Sequence, residues 1–113
     1  MVFVSPEYNW GLSPCAKNLI DHLSFHPEAW NGKIFMCFGC SAGRGGRLPI
    51  IELWTIVNKV ISFSKAIAVV SPYHIEITAN LLDENAEFIE SFKETAKNVF
   101  DNHNRLAAKF VMP

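Results

Sequence analysis

Apolar positions along this chain fall into blocks of two kinds. Val2-Phe3-Val4, Ile34-Phe35-Met36-Cys37-Phe38 and Ala66-Ile67-Ala68-Val69-Val70 are short continuous runs rich in β-branched and aromatic residues. Each predicts a strand. The first ends at Ser5-Pro6 and the third at Ser71-Pro72. Cys15, Leu19, Ile20 and Leu23 recur at helical spacing, which predicts a helix over about residues 13–25. Ser13 is its expected N-cap and Pro14 its first helical position, with Pro27 as the stop. From Leu48 to Ser62 the apolar residues cover nearly the whole helical circumference, so a helix buried on more than one side is expected there. A last helix is expected from a cap at Asp83 to about residue 109, with Phe88, Phe92, Ala96, Val99 and Leu106 as its inner stripe. Tyr73 to Ile77 reads either as an extension of the sheet or as an extended loop.

Strand and helix alternate, and the strands are apolar on both faces. That pattern predicts an α/β fold: a three-layer parallel sheet of about three strands with helices on both faces. The chain has 113 residues and shows no linker, repeat or low-complexity segment, so a single domain over 1–113 is expected.

Composition sharpens this in a few places. Half of the residues are hydrophobic and only 19% are charged, which excludes an intrinsically disordered chain. So apolar a composition favours a dimer or larger assembly. Ten basic and eleven acidic residues give a net charge of −1, with no excess to draw nucleic acid. No apolar run approaches the ~20 residues of a membrane span, and Met1 to Pro6 lacks the basic and apolar regions of a signal peptide. Three cysteines are too few for a disulfide scaffold, so a cytoplasmic, reducing setting is expected.

Candidate chemistry lies in two loops, Pro6-Glu7-Tyr8-Asn9 after the first strand and Ser41-Ala42-Gly43-Arg44-Gly45-Gly46 after the second. Open α/β sheets bind ligands beyond the carboxyl ends of their strands, and loops after adjacent parallel strands lie side by side. The glycines let backbone N–H groups approach a flat ligand, and Tyr8, Trp10 or both offer it an aromatic face. Other features have plainer readings. Cys37-x-x-Cys40 matches a redox motif, but a glycine-rich loop follows it and Cys37 falls on a buried strand position. His22 and His26 lie four apart on one helix face without a further ligand cluster, and no metal is expected. His74 reads as solvated or satisfied, close to the pocket mouth. Arg44 and Arg47 read as surface charges or as contacts to a dinucleotide phosphate, and Trp54 as core or interface.

The same residues resemble a known family. Pro6-Glu7-Tyr8-Asn9 followed by Lys17-Asn18-Leu19-Ile20-Asp21 is similar to the PEYN…LKNAID signature of the NAD(P)H-dependent FMN reductases. Trp30-Asn31-Gly32-Lys33 resembles that family's W-x-GK step, and Ser41 to Gly46 its S-x-G-x-x-G loop. The resemblance covers about residues 2–77 in detail and the last helix in character. It implies a flavodoxin-like fold binding FMN at the strand switch point, with hydride passed from NAD(P)H to the flavin and on to a flavin, quinone or azo acceptor. It further implies that the cofactor-binding residues are Pro6, Glu7, Tyr8 and Asn9 on one loop, and Ser41, Gly43, Arg44 and Gly46 on the other. The backbone of Glu7, Tyr8 and Asn9 is expected to meet the ring edge, and no side chain is expected to act as a general acid.

The family's first strand, its phosphate-binding loop and the following strand have no counterpart here. The likeness is therefore expected to be to the family's C-terminal part only, with the sheet truncated and FMN weakly held. Trp10 and Pro14-Cys15 are smaller departures. A rival expectation is a non-catalytic remnant that persists as an oligomer, and a disulfide oxidoreductase built on Cys37 and Cys40 ranks behind both. The strand at Val2 to Val4 is expected to lie at an edge that a second copy covers.

Overall fold

Ile34-Phe35-Met36-Cys37 buries all four side chains, and the strand that carries them, β3 (Ile34–Ser41), runs through the middle of the sheet. A strand apolar on both faces belongs there. β3 pairs in parallel with β1 (Val2–Tyr8), from Val2 opposite Met36 to Pro6 opposite Cys40. On its other side it pairs in parallel with β4 (Val69–Thr78), from Ile34 opposite Val69 to Ser41 opposite Thr78. A two-residue strand, β2 (Gly11–Leu12), folds back antiparallel onto Glu7 and Tyr8. The order is β2-β1-β3-β4. The computed structural model describes residues 1–43 and 45–110.

Helices cover both faces. α1 (Pro14–Leu23) and α2 (Arg47–Ser64) pack on the face that presents Phe3, Phe35 and Cys37. Ile20 from α1 and Ile50, Leu53, Val57 and Val60 from α2 complete that core with Trp30. Phe3, Trp30 and Phe35 meet ring to ring, with centroids 5.1–6.2 Å apart. α3 (Glu90–Phe110) lies on the opposite face over β3 and β4, where Phe100 meets Phe38 edge-on at 5.5 Å. The result is an α/β flavodoxin-like fold, a mostly parallel sheet between helical layers.

Several expected boundaries move, each for a physical reason. β1 runs on through Ser5-Pro6 to Tyr8, because a residue without an N–H is tolerated in a strand at the sheet's edge. β4 likewise passes through Ser71-Pro72: the register jumps from Phe35 opposite Val70 to Cys37 opposite His74, and the proline sits in the bulge this makes. Tyr73 to Ile77 is therefore strand. α2 is buried along one face only; Leu48, Ile51 and Phe63 stay exposed, since it lies in an outer layer. Ser13 caps α1 as expected, its hydroxyl accepting from Ala16 N–H at 3.2 Å. Asp83 does not cap α3. Its carboxylate accepts from the N–H groups of Asn85 and Glu87, at 2.8 and 3.0 Å, and closes a turn before the helix.

α3 carries one buried histidine. His103 has a buried Nδ1 with no hydrogen-bond partner among the described residues. Burial first, and then the nearby α-amino group of Met1, hold its pKa below the ordinary 6.5. The folded state thus binds this proton less readily than the unfolded state. Stability is expected to be full above pH 6.5 and to fall as pH drops below it. A urea-midpoint series against pH checks this, and His103→Phe should flatten the acidic limb. An equally steep limb in the variant would disprove the assignment.

Candidate functional site

The pairing of β1 with β3 ends at Pro6 opposite Cys40, while β3 and β4 stay together as far as Ser41 and Thr78. Beyond those pairs β1 turns away. Asn9 and Trp10 both adopt left-handed backbone, with φ of 48° and 64°, and reverse the chain into β2. Positive φ at both central residues is the pattern of a tight hairpin turn. Asparagine accepts it readily; tryptophan does so only at a cost. An open cleft of about 360 Å³ lies between the diverging strand ends, within the ~300–1,000 Å³ usual for small-molecule sites.

The floor of this cleft is the row Pro6, Cys40 and Ile77, which are successive partners across the sheet. Glu7 and Tyr8 form one wall, Ser41 and Ala42 another. Thr78, Ala79 and Leu82 close the side beyond β4. Of the residues expected from sequence, Pro6, Glu7, Tyr8 and Ser41 come together here. Asn9 sits in the hairpin turn, and neither it nor Trp10 lines the cleft; Trp10 points its ring to solvent, 78% exposed. Gly43 lies in open space, its N–H donating to Ser41 Oγ at 3.3 Å. Arg44 lies outside the described residues.

Gly46 has a different task from the one expected. It stands at the N-cap of α2 with φ 90°, pressed against Gly39 of β3. A Cβ on Gly39 would stand 1.7 Å from Gly46 O. This contact lets the second loop drop behind the strand ends and start α2 there.

Two carboxylates brace the arrangement in opposite directions. Glu7 Oε2 accepts from Gly46 N–H at 3.0 Å, tying β1 to the start of α2. Glu52, on α2, accepts from Leu12 N–H and ties the helix back to the hairpin. Beneath them the buried Ser5 hydroxyl accepts from Ser13 N–H at 3.1 Å and donates to Pro6 O at 2.9 Å. The role of Glu52 and the whole β4 wall escaped the sequence reading. The β4 wall follows once β4 is continued through Pro72, because Cys40 then pairs with Ile77.

The other candidate chemistry sits elsewhere or is geometrically excluded. Cys37 and Cys40 are three residues apart on one strand, so they point to opposite faces and lie ~10 Å apart, beyond the reach of a disulfide. Burial pushes the Cys37 thiol up to about 12 and also raises Cys40, so both are held as thiols. His26 Nδ1 is engaged with Glu28 Oε1 at 3.0 Å, and the described residues hold no group of three or more potential metal ligands. His74 packs edge-on against Trp54 at 5.1 Å, on the α2 side of β4 and away from the cleft. Arg47 donates to Glu76 Oε1 at 2.7 Å. These two residues and His74 line a second hollow, of about 400 Å³, along β4 between the start of α2 and α3.

A mostly parallel α/β sheet with an open cleft at its carboxyl ends has the architecture of the flavodoxin-like fold. Residues 1–73 match the family described as NADPH-dependent FMN reductase, and the chain belongs to that family. Membership supports a flavin-reductase-like function at the level of the family. The match spans the N-terminal part of this chain, and the expectation of a likeness to the family's C-terminal part alone is not borne out. No curated protein matches the chain.

The residues of the cleft fit the ring end of a flavin: an apolar floor, the Tyr8 ring at one side, and Ser41 and Thr78 hydroxyls at the rim. No Lys or Arg is among the described residues that line the cleft.

Proposed function

We propose that the chain is a flavin-dependent reductase that takes a hydride from NAD(P)H and passes electrons to a small acceptor: a flavin, a quinone or an azo compound. Bound in the cleft, FMN supplies the ring that accepts hydride. The protein supplies position and shielding. Pro6, Cys40 and Ile77 keep water from the floor. The backbone of Glu7, Tyr8 and Asn9, which lies beyond the β1–β3 pairing, meets the ring edge. Ser41, Gly43, Arg44 and Gly46 belong to the loop that flanks the ring. The observation that carries this reading is the convergence of the two motif loops with the end of β4 in one cleft.

Titration with FMN, followed by quenching of its fluorescence, together with NADPH consumption in the presence of an acceptor, tests the proposal. Saturable quenching and acceptor-dependent consumption are expected. Neither, at any flavin concentration reached, would sink it. A more local check is Gly43→Trp. This glycine meets nothing within 4 Å and needs no left-handed backbone, so the variant should fold normally. Its flavin affinity should nevertheless fall at least tenfold, or ~1.4 kcal/mol; unchanged affinity would remove the second loop from the site.

We also propose that a second copy pairs with β1. Among the described residues no strand covers the outer edge of Val2 to Pro6, and Val4 is 55% exposed. An apolar edge without lysine is a template for another strand. Sedimentation should show a dimer or larger species at micromolar concentration, and Val4→Lys should shift it to monomer. A clean wild-type monomer would contradict the pairing.

A further inference from the structure

We infer that His22 and His26, at the end of α1, chelate a divalent transition ion of the zinc class, and that Glu28 orients His26 for it. The site shares no residue with the lining of the cleft and does not depend on how the cleft is read. Histidine pairs at this spacing lie on one side of a helix. Spacing alone argues for no metal, but three structural observations do.

The first is a held geometry. α1 ends at Leu23, yet the chain goes on turning: Phe25 N–H donates to His22 O at 3.3 Å and His26 N–H to Leu23 O at 2.9 Å. Ala29 N–H then donates to His26 O at 2.9 Å, and the buried Trp30 ring anchors the end of this turn. The two imidazoles are kept as neighbours, with ring centres 5.5 Å apart. Two imidazoles that share one zinc ion, with bonds of ~2.0–2.1 Å near the tetrahedral angle, have their ring centres ~5 Å apart. The second is Glu28, whose Oε1 lies 3.0 Å from His26 Nδ1. With its proton on Nδ1, His26 donates to this carboxylate and presents Nε2 as a lone pair of raised basicity, the arrangement that metal-bound histidines use. Glu28 is thus a positioning residue. The third is location. The pair stands at the C-terminal end of α1, where the helix dipole favours a cation. Both histidines are exposed, so water has room to fill the remaining coordination positions. Imidazole donors suit zinc, nickel and copper.

Calorimetric titration of the whole chain with zinc chloride tests this. The wild type should bind zinc saturably. Glu28→Ala should weaken that binding about tenfold, and His22→Gln and His26→Gln should each weaken it further. Cys15→Ser, which removes the exposed thiol of the same helix, should leave it unchanged. Without zinc, Glu28→Ala should melt at the wild-type temperature, because its side chain is 76% exposed. A merely structural role for Glu28 would move the melt and not the zinc affinity. Absence of saturable binding, or binding that survives the loss of either histidine, would overturn the inference. Binding lost in Cys15→Ser would assign the ion to the thiol and overturn it as well. Zinc affinity unmoved by Glu28→Ala would overturn the part given to Glu28.

Discussion

Gly39→Ala is expected to cost ~3 kcal/mol or more, the upper end of the range for overpacking a filled site. The added Cβ would lie 1.7 Å from Gly46 O and 2.7 Å from Gly46 C, so it meets backbone that no rotamer change can move aside. Either β3 shifts or the second loop lifts from the strand ends. The second outcome separates Gly46 from Glu7 and opens the cleft wall. Gly46→Ala acts on the same contact from the other side, with its Cβ 2.5 Å from Gly39 O and with φ 90° to sustain. Strain of that backbone kind alone costs ~1–3 kcal/mol. Gly43→Ala, three residues earlier in the same loop, should change stability by no more than ~0.5 kcal/mol. Thermal melts of the three variants make the comparison. A Gly39→Ala melting temperature equal to that of Gly43→Ala would refute the packing account.

Trp30→Ala should be the most damaging change of the core, at ~3–5 kcal/mol. The ring is 1% exposed and lies against Phe3 and Phe35. Its Nε1–H donates to Leu23 O at 2.8 Å, closing the C-terminal end of α1. The variant therefore leaves a void beneath β1 and removes one of two donors to Leu23 O, which still accepts from His26 N–H at 2.9 Å. Against a total of ~5–15 kcal/mol for a domain, a loss of this size unfolds a measurable fraction at room temperature. Trp30→Phe separates the two contributions: it fills most of the void and should lose only ~1 kcal/mol, from the one hydrogen bond to Leu23 O that it removes. A urea midpoint for Trp30→Ala within error of the wild type would show that the ring is not part of the core.

The sequence made some of these features readable and hid others, and the division follows the range of the interactions. Ser13-Pro14 marks the start of α1 because capping is local: the hydroxyl reaches an N–H three residues on. The unbroken run Ile34 to Phe38 marks the central strand because burial on both faces leaves no polar positions. The continuation of β4 past Val70 was left open by Ser71-Pro72, which reads as a stop and is in fact a bulge in an edge strand. The hairpin was hidden because Asn9-Trp10 lacks the glycine that usually signals such a turn. Of the site, the motif loops were legible as loops. That Gly46 packs on Gly39, and that the Glu7 side chain is spent on Gly46 N–H, depends on contacts between segments distant in sequence, which no local pattern records. Asp83 shows the converse. Its capping chemistry was read correctly, but the N–H groups it satisfies belong to a turn and not to α3.

The register of the parallel strands also fixes a timetable for biosynthesis. Val2 pairs with Met36, and Met36 lies on the far side of α1. Among the described residues, the strand pairing available to β1 before that point is the two-residue hairpin with β2. At ~5–20 residues per second, the apolar segment Val2-Phe3-Val4 waits a few seconds for its partner strand. During that interval it has the properties of an aggregation-prone stretch, β-branched, uncharged and unpaired. Non-local pairing of this kind also slows the folding of the finished chain. A strand that serves the mature protein as one wall of its cleft is thus, for the nascent chain, the segment most in need of a chaperone.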